Sequence, residues 1–210
     1  MKNKLNSIYK KLYKNFGPQN WWPAETPFEV MVGAILTQNT SWGNVEKAIS
    51  NLKKHNLLNP RKLRGLTHKQ LSRYIMPAGY YNIKAKRLKN FLNFLFDNYR
   101  GDIKKMSAVD TAVLRQQLLS VNGIGPETAD SILLYGLNKP VFVVDAYTKR
   151  IFNRHSLIKA DAQYHDVQRL FMDNLKRQEK LFNEYHALLV KLGKDFCRKS
   201  KPKCNICPVK

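Results

Sequence analysis

Three groups of residues have types and spacings that could do chemistry. The first is Val121-Asn122-Gly123-Ile124-Gly125-Pro126-Glu127-Thr128-Ala129-Asp130. The second is Asp145, twenty residues after Gly125, at the end of the apolar run Phe142-Val143-Val144. Glycines let the backbone take positive φ and approach another surface closely. Pro126 suits the first turn of a helix, where its missing N–H is not needed. A tight turn opening into a helix N-terminus offers bare N–H groups to an anion. Together these residues predict a phosphate-holding hairpin with a catalytic carboxylate behind it, Asp145 being delivered into largely apolar surroundings. The plainer alternative is a helix–turn–helix followed by an ordinary N-cap Asp.

The third group is Cys197, Cys204 and Cys207, the only cysteines, spaced C-x6-C-x2-C. An odd count argues against disulfides, and the tight clustering beside Pro202 and Pro208 argues for metal. Zinc takes four ligands and a cubane iron–sulfur cluster normally takes four thiolates. The spacing does not choose between them.

The elements that must position these groups read as helices throughout, and no alternating strand pattern is found. Residues 3–15 place Leu5, Ile8, Tyr9, Leu12 and Tyr13 on one face, and Asn20-Trp21-Trp22-Pro23 breaks that helix. Thr26-Pro27-Phe28-Glu29 reads as a capping box with Pro at the first helical position. The run it opens, Phe28 to Leu36, is apolar nearly all round and is predicted to be central and buried. Further helices are expected from Ser41, near Pro60 and over residues 67–75. A long one carries Ala85 to Phe96 and stops near Gly101, and Asp110 caps one entering the glycine turn. Others follow over 127–135, 146–154, 162–175 and 178–194. That is about ten helices and no sheet: an all-α chain expected to pack as two helical lobes with a cleft between them.

Charge is the strongest global signal: 37 Lys+Arg against 15 Asp+Glu, a net +22. Such an excess implies a polyanionic partner, with nucleic acid first. Structural RNA binding is an alternative at this point. Acidic lipid is disfavoured because the basic residues spread along the whole chain instead of lining one helix. No apolar run approaches the ~18 residues of a membrane span, so no membrane partner is expected. Met1-Lys2-Asn3-Lys4 leads into a mixed amphipathic segment rather than a signal-peptide core, so a cytoplasmic, nucleoid-associated location is expected.

With these motifs assembled, the chain resembles the helix-hairpin-helix (HhH-GPD) DNA glycosylase superfamily in its endonuclease III branch. The likeness rests on Val121-Asn122-Gly123-Ile124-Gly125, on Val143-Val144-Asp145 followed by Tyr147, and on the terminal C-x6-C-x2-C-P. Leu36-Thr37-Gln38-Asn39-Thr40 adds a segment similar to the one with which the family probes the gap left by a flipped base. The resemblance implies a six-helix barrel with the hairpin over residues 25–137. It implies a second helical domain from 1–24 and 138–210, and a [4Fe-4S] cluster on Cys197, Cys204, Cys207 and a fourth cysteine. That fourth cysteine would fall three residues beyond Lys210; a truncated copy is the favoured explanation, with cluster loss or three-thiolate ligation as the others.

Lyase-competent members carry a lysine two residues after the last hairpin glycine, where this chain has Glu127. A carboxylate cannot form an imine, so the usual route to strand cleavage lacks its nucleophile. Lys149, one helical turn beyond Asp145, is expected to pair with phosphate. Within the superfamily the chain looks most like bacterial 3-methyladenine DNA glycosylases of the endonuclease III class. The residues that carry this are Glu127-Thr128-Ala129-Asp130, the segment Trp21-Trp22-Pro23, and Trp42 after the Gln-Asn-Thr run.

The expectation is a monomeric, monofunctional glycosylase on double-stranded DNA containing a damaged base such as 3-methyladenine. Asp145 would be the catalytic residue, and Gln38, Asn39, Gly123, Ile124, Gly125 and Lys149 would contact DNA. Trp21, Trp22, Trp42 and Glu127 would form the base pocket, since a cationic purine stacks on tryptophan and a nearby carboxylate favours a positive base. Packing between lobes is the plainer role for the tryptophans. A bifunctional glycosylase/AP lyase for oxidised pyrimidines, a mismatch glycosylase and a non-catalytic DNA-binding protein are the competing readings.

Overall fold

The computed structural model describes all residues, 1–210, and contains twelve α-helices and no strand. No helix is long and apolar enough to cross a membrane. The chain divides into two compact units, an inserted one, Ala24–Leu137, and a terminal one made of Met1–Pro23 and Asn138–Lys210.

The inserted unit holds α2 (Pro27–Leu36), α3 (Trp42–Lys54), α4 (Pro60–Gly65), α5 (His68–Tyr74), α6 (Tyr81–Tyr99), α7 (Ile103–Ser107), α8 (Thr111–Leu119) and α9 (Pro126–Ser131). Every residue of α2 from Phe28 to Leu36 is buried, as an all-round apolar helix requires. Its N-terminus departs from the expected capping box. Thr26 accepts the Glu29 N–H at 3.1 Å, but the Glu29 carboxylate turns to the Glu25 N–H and to Lys53 Nζ, 2.8 Å away. The nearby Lys53 ammonium outcompetes the neutral backbone donor of Thr26. A complete capping box forms instead at Thr67 and Gln70.

Helix α7 was not expected from the sequence. It has only five residues and one buried side chain, Met106, so it has no period to read. Asp102 starts it by accepting the Lys104 and Lys105 N–H groups. The stretch expected as one helix over 127–135 is in fact α9 followed by a π turn, Ile132–Gly136. All five residues of that turn are buried, and it packs on α2.

The terminal unit holds α1 (Lys2–Phe16), α10 (Ala146–Arg154), α11 (Tyr164–Met172) and α12 (Glu179–Asp195). Its core is aromatic. Phe142 stacks on Phe171 with ring centroids 3.7 Å apart and meets Phe182 and Tyr185 edge-on. Tyr185 donates its buried hydroxyl to the Leu5 carbonyl, tying α12 to α1. Helix α11 is shorter than the expected 162–175. Ala162 and Gln163 lie outside the helix, and the chain leaves it at Asp173.

Candidate active site

In the inserted unit, α8 and α9 form the hairpin. The turn closes when the Ile124 N–H donates to the Val121 carbonyl at 2.9 Å, with both side chains buried. Ile124 is therefore an anchor of the turn, with its N–H committed and its side chain inside. Only Gly123 takes the left-handed conformation, at φ +94°. A Cβ there would collide with the Arg87 side chain. Gly125 sits at φ −92°, open to any residue, and a Cβ on it would meet no protein atom. Its bareness keeps the outer face of the turn low.

Two side-chain clusters brace the hairpin. Arg115 on α8 grips Asp130 on α9 with two parallel bonds, Nε–Oδ1 at 2.7 Å and Nη2–Oδ2 at 3.0 Å, and Asp130 is fully buried. Gln38, after α2, donates to the Gly123 carbonyl at 3.0 Å and to Thr128 Oγ1 at 2.9 Å, while its Oε1 accepts from Arg87 Nη1. Gln38 thus serves as a strut of the hairpin. The residue at the tip of the loop is Asn39, exposed and left-handed at φ +53°. Nothing in the sequence distinguishes Arg87 from the other basic residues or signals that Gln38 faces inward.

In the terminal unit the buried run Val141–Val144 delivers Asp145. This run has no neighbouring strand, so helix α11 supplies its partners from residues spaced one turn apart. Tyr164 Oη accepts the Val144 N–H at 3.3 Å. Gln168 Nε2 donates to the Phe142 carbonyl at 2.7 Å, and Met172 Sδ accepts the Phe142 N–H. Gln168→Leu removes the donor from a buried carbonyl and is expected to cost about 1–3 kcal/mol, read as a lowered denaturation midpoint.

Asp145 is the N-cap of α10. Its Oδ1 accepts the Thr148 N–H at 2.7 Å. Its Oδ2 lies 3.6 Å from Nε2 of His186 on α12, and the two side chains are 11% and 8% exposed. Burial alone pushes the Asp145 carboxyl up. The His186 ring beside it, with the Thr148 N–H, outweighs it and holds the group below the usual carboxylate range. A carboxyl that binds its proton less tightly folded than unfolded adds stability above the unfolded value, and this is lost as pH falls through the folded one. The stability of Asp145→Asn should accordingly fall less steeply in acid than that of the parent, measured by denaturant midpoints against pH. His186 was not anticipated, because in an amphipathic helix it reads as one more inward residue.

The remaining candidates are divided between the units. Trp42 opens α3, the helix expected from Ser41. Ser41 ends the turn one residue earlier, and the indole N–H bonds Glu46 Oε1, one helical turn on, at 2.7 Å. Glu127 is exposed at the start of α9. Trp21 and Trp22 belong to the terminal unit, half-buried with ring centroids 5.1 Å apart. Lys149 donates one bond to the Ala162 carbonyl at 2.9 Å.

The three thiols do not converge. Cys197 is buried, Cys204 exposed and Cys207 intermediate, and no three metal-ligating side chains gather anywhere. Arg154 Nη1 lies 3.4 Å from Cys197 Sγ and also bonds the Arg198 carbonyl, while Arg150 bonds the Cys197 carbonyl. As placed, these three thiols do not form a ready-made metal cage.

Comparison with known proteins adds three findings. Residues 32–177 match the sequence model described as HhH-GPD superfamily base excision DNA repair protein. A Methanocaldococcus jannaschii protein, provisionally named as a DNA repair glycosylase, is 53% identical over 208 residues, covering 98% of this chain and 94% of that one. Among solved structures, H. pylori 3-methyladenine DNA glycosylase bound to 1,N6-ethenoadenine aligns with TM-score 0.74 and 29% identity, over 92% of this chain and 95% of that one. A non-covalent endonuclease III–DNA complex aligns with TM-score 0.85 over 100% and 93%, at 20% identity, a likeness of fold.

Proposed function

The chain belongs to the HhH-GPD superfamily of base excision DNA repair proteins, and from that premise we propose that it is a monofunctional DNA glycosylase for alkylated purines such as 3-methyladenine. The observation that carries the catalytic part is Asp145: a carboxylate held ionised at a helix N-terminus, on a run of chain braced at three points. Hydrolysis of an N-glycosidic bond builds positive charge at C1′, which a fixed carboxylate stabilises while water attacks. A cationic purine leaves readily, so no strong general acid is needed.

The monofunctional part is supported by Glu127, where the family's lyases carry lysine. The alkylpurine part is supported by the named activity of the H. pylori neighbour and by tryptophans able to stack on a cationic base. Basic residues hold the duplex backbone, the turn at Gly123 and Gly125 lies against a phosphate, and Asn39 leads the loop into the gap left by the everted nucleotide. The [4Fe-4S] cluster has the C-x6-C-x2-C spacing as its support. Loading it would require Cys204 and Cys207 to close on Cys197.

With a net charge of +22, binding to undamaged duplex should be steeply salt-dependent. For 6–10 phosphate contacts the affinity is expected to drop about 10³–10⁵-fold between 50 and 200 mM salt, checked by fluorescence anisotropy. Release assays on duplexes bearing 3-methyladenine, 7-methylguanine, thymine glycol or uracil test the substrate class. The first is expected to lose its base, and release of thymine glycol alone would overturn the assignment.

A further inference from the structure

A surface that stacks on an everted base has to stand in place before the base arrives, because ordering it on arrival costs affinity. Trp21 and Trp22 lie in a stretch, residues 17–23, that belongs to no helix. Its position has to come from bonds to its neighbours, and these converge on Gln19. The Gln19 side chain reaches back to the end of α1, Nε2 donating to the Phe16 carbonyl at 3.2 Å and to the Gly17 carbonyl at 3.0 Å. The Gln19 backbone N–H donates to Glu184 Oε1 on α12 at 2.9 Å. Left-handed residues on either side, Gly17 at φ +66° and Asn20 at φ +49°, turn the chain into and out of this anchor.

We propose that Glu184 is a positioning residue of the base platform, acting through Gln19: it fixes where Trp21 and Trp22 stand on the unit that carries Asp145. Helix α12 is the common support. Two residues after Glu184, His186 lies 3.6 Å from Asp145 Oδ2. Between them Tyr185 gives its hydroxyl to the Leu5 carbonyl at 2.9 Å, and its ring meets Tyr9 edge-on at 5.3 Å, which locks α12 on α1. One short piece of helix thus sets the separation between the tryptophan segment and the acid. Glu184 is not spent on an ion pair. The chain has 37 Lys+Arg, yet none of its salt bridges includes this carboxylate. A charged acceptor binds an N–H more strongly than a neutral one, which suits an anchor at the foot of an aromatic pair. Trp21 is two residues on from Gln19, at most about 7 Å along the chain, so losing the anchor moves the indoles directly.

The inference rests on the reading of Trp21 and Trp22 as the surface that stacks on the base, and the test separates the two. Tryptophan emission is followed in an Asp145→Asn, Trp42→Phe chain, so that the base stays attached and Trp21 and Trp22 alone report. Duplex carrying one 3-methyladenine, or none, is added. Single-turnover base release, affinity for undamaged duplex and thermal unfolding are measured for the full chain with Glu184, Glu184→Ala or Glu184→Gln. The parent is expected to be quenched by the lesion duplex and not by the undamaged one. Glu184→Ala should lose most of that quenching and release base about 10–100-fold more slowly, with affinity for undamaged duplex unchanged. Glu184→Gln keeps an acceptor and should stay within about 3-fold of the parent in rate, with its quenching retained. Parent-like quenching and rate in Glu184→Ala would overturn the role of Glu184. So would a Glu184→Gln as slow as Glu184→Ala, which would put the charge in place of the anchor. Should Glu184→Ala unfold, Glu184→Asp, whose shorter side chain withdraws the acceptor, takes its place with the same expectation. A parent without lesion-specific quenching would instead overturn the stacking role of the tryptophans.

Discussion

Asp145→Asn should release base about 10²–10⁴-fold more slowly than the parent while binding lesion duplex within a few-fold of it. The substitution is close to isosteric, and asparagine caps a helix about as well as aspartate, so its Oδ1 can still accept the Thr148 N–H. What it removes is the negative charge facing C1′ and the ability to take a proton from water. A DNA-binding protein without catalysis would show no difference between the two. A fold-dependent loss would lower binding and rate together. Single-turnover release and anisotropy on the same duplex separate these outcomes.

Arg115→Ala should be the most destabilising single change near the hairpin. Asp130 has no solvent exposure and takes both oxygens' bonds from one guanidinium. Removing that partner from a buried ion pair costs about 3–5 kcal/mol, and at this chain length each kcal/mol lowers the melting temperature by about 2–4 °C. Arg115→Lys keeps the charge but not the planar fork and should fall between. Because the pair joins α8 to α9, DNA affinity should drop with stability in Arg115→Ala, below the temperature at which the fold melts. Arg115→Ala with an unchanged melting temperature and affinity would show that the hairpin does not depend on this pair.

The parts of the site legible in the sequence are those with a local signature. An apolar run with a proline at its first position announces α2, two glycines before Pro126 announce a turn, and an acid closing Phe142-Val143-Val144 announces an N-cap. Features that need a distant partner were not legible. Gln38 looks like a residue free to enter DNA until Arg87, Gly123 and Thr128 are seen around it. His186 acquires a role only when α12 lies against α10. The ladder of Tyr164, Gln168 and Met172 is three unremarkable residues until the strand-like run beside them needs partners. A glycine's identity shows that it can take positive φ and not that it does; of the two hairpin glycines only Gly123 does so.

The most direct test incubates the purified chain with a duplex carrying one 3-methyladenine, with borohydride present in one of two parallel reactions. The expected result is free 3-methyladenine, a strand that breaks only after alkali, and no covalent protein–DNA product. A trapped adduct, or strand cleavage without alkali, would contradict hydrolysis by a carboxylate and reveal an amine nucleophile.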